Sequence, residues 1–124
     1  MGKSAKKIKW LADVQTHDYA AADFYLRLLF PPAIVKKLVA GLRAAKIEPF
    51  KAKDIFRASR LSLLGVSNGH VECDRAKIKD REKLSPLLLV RDPVHGAVVI
   101  ADGYHRLCAV YSFEEDAWIQ CKIV

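Results

Sequence analysis

No stretch of this chain approaches the roughly 18–20 consecutive apolar residues that a helix needs to cross a bilayer, so no membrane span is expected. The start, Met1 to Trp10, is basic and lacks the apolar segment of a secretory signal, which points to the cytoplasm. Cysteine is scarce: Cys73, Cys108 and Cys121 form no C-x-x-C pair and no Cys/His ligand spacing. No zinc site or other metal is therefore expected, and the three thiols read as small buried side chains in a reducing compartment. Internal repeats and low-complexity linkers are also missing, so the 124 residues are expected to share one core in one domain.

What is present is a folding composition, 52% hydrophobic and 28% charged, well away from that of a disordered chain. The net charge of +7 is unevenly placed. Residues 1–60 carry thirteen Lys/Arg against five Asp/Glu, and residues 61–124 carry eight against nine. Such a basic half favours an anionic partner, nucleic acid first, with Lys36, Lys37 and Arg43 as the contacts. The plainer alternative is a solvated helical surface, because no Arg-rich or aromatic motif accompanies the charge.

Along the chain, a short helix is expected to start near Ala5, and Thr16 or Asp18 can cap a second helix over Tyr19–Phe30. Its Phe24, Tyr25, Leu28 and Leu29 recur at helical spacing. His17-Asp18 at that start reads as a cap rather than a catalytic pair. Pro31-Pro32 ends this helix and begins another over about Ala33–Lys46, with Ile34, Val35, Leu38, Val39 and Leu42 as its apolar stripe. The Pro-Pro joint lacks the Gly-bearing turn of a helix-turn-helix. Glu48-Pro49 reads as a break, and Ala52–Ser59 as a short helix. Gly65, Asn68 and Gly69 mark a loop, His70-Val71-Glu72-Cys73 reads as a short strand, and Ala76–Lys79 as one helical turn. Leu87-Leu88-Leu89-Val90 and Ala97–Ala101 are apolar runs of strand length and so predict strands buried on both faces. Helix is expected over Tyr104–Phe113 and a closing strand over Trp118–Val124. The fold class is thus α+β, a helical first half (1–60) packed on a small mixed sheet (61–124).

The segment Ile100 to Ala109 carries the chemistry. A buried strand runs into a helix through Asp102-Gly103, and glycine permits a sharp bend that a ligand can approach closely. The first helical N–H groups lack intrahelical partners and sit at the positive end of the helix dipole, which suits an anion. Arg106 adds a guanidinium matched to phosphate oxygens, and His105 a donor whose charge changes near neutral pH. Phosphate contacts are accordingly assigned to Gly103, Tyr104, His105 and Arg106, and acid/base candidates to His105 and Asp102. A structural reading stands beside this one: Asp102 as an N-cap, Gly103 as a turn residue and Arg106 as a solvated cation. Asp54, Arg57, Ser59, Arg60, His70 and Ser85 are further candidates to line the same cleft, although Asp54 and Arg57, three apart on a helix, equally fit a surface ion pair.

The box Ala101-Asp102-Gly103-Tyr104-His105-Arg106-Leu107-Cys108-Ala109 resembles the Gly-x-[His/Arg]-Arg-x-x-Ala box of ParB amino-terminal domains and the Gly-Cys-His-Arg box of sulfiredoxins. Ser85-Pro86-Leu87-Leu88-Leu89-Val90 is similar to the proline and apolar strand that precede that box in both families. The resemblance covers roughly Val71 to Val124; residues 1–60 look like a private extension. It implies a ParB/sulfiredoxin-like strand–helix–strand core in which Gly103, His105 and Arg106 contact the phosphates of a nucleotide, shaped by Tyr104 and Asp102. It also implies a nucleoside triphosphate, with magnesium, as the possible ligand. The chain departs from both families: Tyr104 stands where sulfiredoxins have their catalytic cysteine, so that activity is not expected. No second arginine-rich box or helix-turn-helix domain follows, so a partitioning protein is not expected either.

Three functions follow as expectations. The first is binding of a nucleotide or other phosphorylated small molecule at the Asp102–Arg106 turn. The second is phosphoryl transfer or hydrolysis in the same cleft, and the third is DNA binding through the basic first half. The sequence does not set the oligomeric state.

Overall fold

The computed structural model describes residues 8–63 and 68–124, so Ala5 and Gly65 lie outside the described residues. The fold is α+β. Its elements are β1 (Lys9–Trp10), α1 (Thr16–Leu26), α2 (Pro32–Ala44), β2 (Glu48–Lys51), α3 (Ala52–Ser59), α4 (Gly69–Lys79), β3 (Lys83–Leu84), β4 (Leu87–Asp92), β5 (Ala97–Asp102), α5 (Tyr104–Phe113) and β6 (Trp118–Ile123).

A four-stranded sheet of order β2-β6-β4-β5 forms the middle layer. β4 runs parallel to β6 and antiparallel to β5, and β2 runs antiparallel to β6. The run at Leu87–Val90 is buried on both faces, as its unbroken apolar character requires. Alternation then divides the core in two. Leu87 and Leu89 join Ile100, Ile119 and Cys121 under α3, α4 and α5. Leu88 and Val90 join Ala101 under α1 and α2.

Several elements differ from the sequence expectations. Residues 9–10 form a strand that pairs in parallel with β3. Pro49 lies inside β2 rather than at a break; β2 is an edge strand, where a missing N–H can be tolerated. With β2 in the sheet, residues 1–60 are part of the architecture and not an appended helical extension.

α1 begins at Thr16 and ends at Leu26, short of Phe30, because its last turn tightens: Leu28 and Leu29 N–H donate three residues back. It buries Tyr19, Ala22 and Leu26, and the stripe expected to face the core, Phe24, Tyr25, Leu28 and Leu29, is exposed. In α2, Val35, Val39 and Leu42 are buried while Ile34 is exposed.

The segment read as a strand at His70–Cys73 is helix α4. Asn68 Oδ1 accepts the N–H groups of His70 at 3.0 Å and Val71 at 3.2 Å, which caps the first turn, and Val71 and Ile78 anchor the buried side. Replacing Asn68 with Ala should lower the unfolding free energy by about 1 kcal/mol in a urea titration; no change would mean that α4 does not depend on this cap.

Candidate functional site

β5 runs into α5 through Gly103, which occupies the N-cap position at φ 109°. That is left-handed backbone that only glycine adopts without strain. A Cβ at this position would stand 2.7 Å from Leu87 Cγ and 3.0 Å from Arg106 Nη2. Glycine is therefore needed for packing against Leu87 as much as for the bend. Asp102 is not the helix cap: Gly103 holds that position, and among the described residues no side-chain hydrogen bond caps α5. The amides of Tyr104, His105 and Arg106 accordingly have no i−4 partner at the helix start.

Asp102 instead accepts from Arg106 Nη2 at 3.1 Å. The same Nη2 lies 3.4 Å from the Pro86 carbonyl and 3.5 Å from Asp18 Oδ2. The guanidinium is thus no solvated cation. It is only 16% exposed, and its Nε is buried with no partner among the described residues. Asp18, which the sequence suggested as a cap, is buried at 4% exposure. Its Oδ2 takes a 2.6 Å hydrogen bond from Ser85 Oγ, which itself accepts the Gln15 amide, and its Oδ1 lies 3.2 Å from His17 Nε2. Ser85 is therefore buried and acts on the site only through Asp18. Two carboxylates offset most of the positive potential expected at Arg106.

The open space lies on the other side of Arg106. A cleft of about 260 Å³ is lined by His70, Cys73, Asp74 and Lys77 from α4 and by Asp102, Gly103, His105 and Arg106. The His70 and His105 rings meet at 4.8 Å. Burial, His70 and Arg106 hold the His105 pKa below the ordinary 6.5, against an opposing pull from Asp74. Burial raises Asp74, although Lys77, Arg106 and both histidines pull it down. Burial also raises Asp102, with Arg106 opposing and the Asp18 carboxylate adding to the rise. The cleft thus offers the start of α5, Lys77, two imidazoles and two carboxyls whose pKa values burial raises.

Other sequence candidates lie elsewhere. Tyr104 does not line the cleft; its hydroxyl donates to the Ser62 carbonyl. Asp54 and Arg57 form a surface ion pair at 3.9 Å, and Asp54 borders a different, mainly apolar pocket with Phe50, Leu89 and Val98. Ser59 Oγ donates to the Phe56 carbonyl, and Arg60 donates to the carbonyls of His95 and Gly96 in the β4–β5 turn. Cys73 is exposed, unlike Cys108 and Cys121. Cys73, Asp74 and Lys77 were missed as cleft residues. Their signal was the 3-4-7 spacing from His70, which shows only once α4 is read as a helix.

Among the described residues, no group of three or more His, Cys, Asp or Glu side chains is placed to hold a metal ion, and no helix is long and apolar enough to cross a membrane. Comparison with known proteins found no matching family model, curated protein or solved structure.

Asp18→Ala should cost roughly 2–4 kcal/mol, because it removes the acceptor of the Ser85 hydroxyl and one of the two carboxylates facing Arg106. Asp54→Ala should change stability by less than about 0.5 kcal/mol. Equal effects in parallel urea titrations would contradict the network. The lowered folded pKa of His105 also fixes a sign. Its contribution to stability is complete above pH 6.5 and fades as pH falls through the lowered value. Imidazole proton NMR should give a His105 midpoint below 6.5.

Proposed function

We propose that this chain binds a nucleotide or other phosphorylated small molecule in the cleft between α4 and the start of α5. One observation carries the reading: the uncapped amino end of α5 opens into a polar cleft that also holds Lys77 and two imidazoles. Free amides at a helix start favour phosphate oxygens. Lys77 supplies the mobile cation that Arg106, bound to Asp18 and Asp102, does not. Arg106 shapes the wall and keeps the bend in place.

The proposal extends to the fold family. The succession of β4, β5, α5 and β6 supports this reading, since the resemblance to ParB/sulfiredoxin domains implies a strand–helix–strand core over these residues. In this reading a triphosphate would arrive with magnesium held mainly by its own phosphates.

A hydrolytic or phosphoryl-transfer reading has its own support. Asp74 and Asp102 both line the cleft, and burial raises the pKa of each, the direction that favours acid/base work. Release of phosphate from ATP or p-nitrophenyl phosphate, abolished in Asp102→Asn and slowed in Asp74→Asn, would establish it; no release over hours would reduce the function to binding.

Isothermal titration with inorganic phosphate, AMP and ATP, with and without magnesium, tests binding. Lys77 is exposed, so Lys77→Ala should fold normally and lose about tenfold in affinity, roughly 1.4 kcal/mol. An anion in the cleft favours the protonated imidazoles, so affinity should rise as pH falls from about 7 to 6. Unchanged affinity in Lys77→Ala, together with no pH dependence, would place the ligand elsewhere.

A further inference from the structure

A second concavity lies on the opposite side of the sheet. A groove of about 440 Å³ runs between α1 and α2, with Pro32, Val35 and Val39 in its wall and Arg27, Lys36 and Arg43 around it. Asp23 is the one acid in this lining among the described residues, and it is bound to Arg27 at 2.6 Å. Two of the cations rest on aromatic rings, Arg27 over Phe24 at 5.4 Å and Arg43 over Tyr19 at 4.5 Å. Such contacts hold a guanidinium in place, although Asp23 already takes the Arg27 Nε.

Phe24 and Leu28, one turn apart, are 69% and 80% exposed, and Tyr25, Leu29 and Ile34 are exposed as well. Single exposed apolar side chains are ordinary; five large ones within residues 24–34 are a concentration along the chain of the kind found at interaction sites.

We propose that this face docks an acidic amphipathic segment of another protein. Its aliphatic side chains would enter the groove and cover Phe24, and its carboxylates would meet Arg27, Lys36 and Arg43. The charge decides the occupant. A second copy of the chain would bring one cationic rim against another. Nucleic acid would satisfy the cations but leave the aliphatic wall and Leu28 in water. A bilayer surface is flat, whereas the groove is concave and needs side chains to fill it. An acidic helix with apolar residues at i, i+3 or i+4, and i+7 meets all three conditions.

The experiment is a selection from a random 16-residue peptide library against the immobilised full chain. Selected peptides are then synthesised and measured by fluorescence anisotropy. Phe24→Ser and Lys36→Glu alter exposed side chains, and circular dichroism checks that both variants fold. The expected result is a set of peptides combining Asp/Glu with aliphatic residues at helical spacing, each losing at least tenfold in affinity against both variants. The proposal is overturned if no binder emerges, if the selected peptides are neutral or basic, or if binding ignores both substitutions. It is also overturned if the chain alone dimerises through Phe24 in sedimentation. Phe24-dependent binding to a 20-base-pair DNA or to vesicles containing phosphatidylglycerol, in place of peptide binding, has the same consequence.

Discussion

A guanidinium that is largely withdrawn from water must be matched by negative charge, and Arg106 is matched from two directions. Asp102 reaches it from the end of β5, one helical turn back, and Asp18 reaches it from α1, far away in sequence. Ser85 holds Asp18 in position, and the backbone at Gln15 holds Ser85. The bend at Gly103, the start of α5, the entry to β4 and the first helix therefore meet at one point. Asp18, buried in the first half, meets Ser85 and Arg106 of the second, so the two halves of the chain are bound by electrostatics as well as by apolar packing.

The same clasp sets what the neighbouring cleft can do. Because the positive charge of Arg106 is shared with two carboxylates, the space beside it is not a simple basic well. In the proposed reading, attraction for an anion falls on the start of α5, where Gly103, His105 and Arg106 line the cleft, and on Lys77. Burial raises the pKa of Asp74 and Asp102 and lowers that of His105. A phosphate entering there would reverse the histidine's bias, which couples ligand and proton.

Those parts of the fold that depend on local pattern were legible in the sequence. β4 and β5 follow from uninterrupted apolar runs, α5 from the glycine bend before it, and α2 from its proline start and apolar spacing. What depends on tertiary contact was not legible. Asp18 looks like a cap until Arg106 is placed beside it. Lys122 is buried, with Nζ bonded to the Tyr19 hydroxyl and the Arg43 carbonyl. α1 has two apolar stripes, and helical spacing alone does not say which one meets the sheet; the narrower face, with Tyr19 and Ala22, is the buried one. α4 is obscured because His70–Cys73 alone carries no helical pattern; the Asn68 cap before it and Ile78 after it supply one, and with them half of the cleft.

Backbone amide NMR, with inorganic phosphate and then ATP titrated into the full chain, tests the account most directly. The largest saturable shifts should fall on the N–H groups of Tyr104, His105 and Arg106, with smaller changes along the His70–Lys77 face of α4. Saturation that leaves those three amides unmoved, or shifts confined to the α1–α2 face, would contradict it.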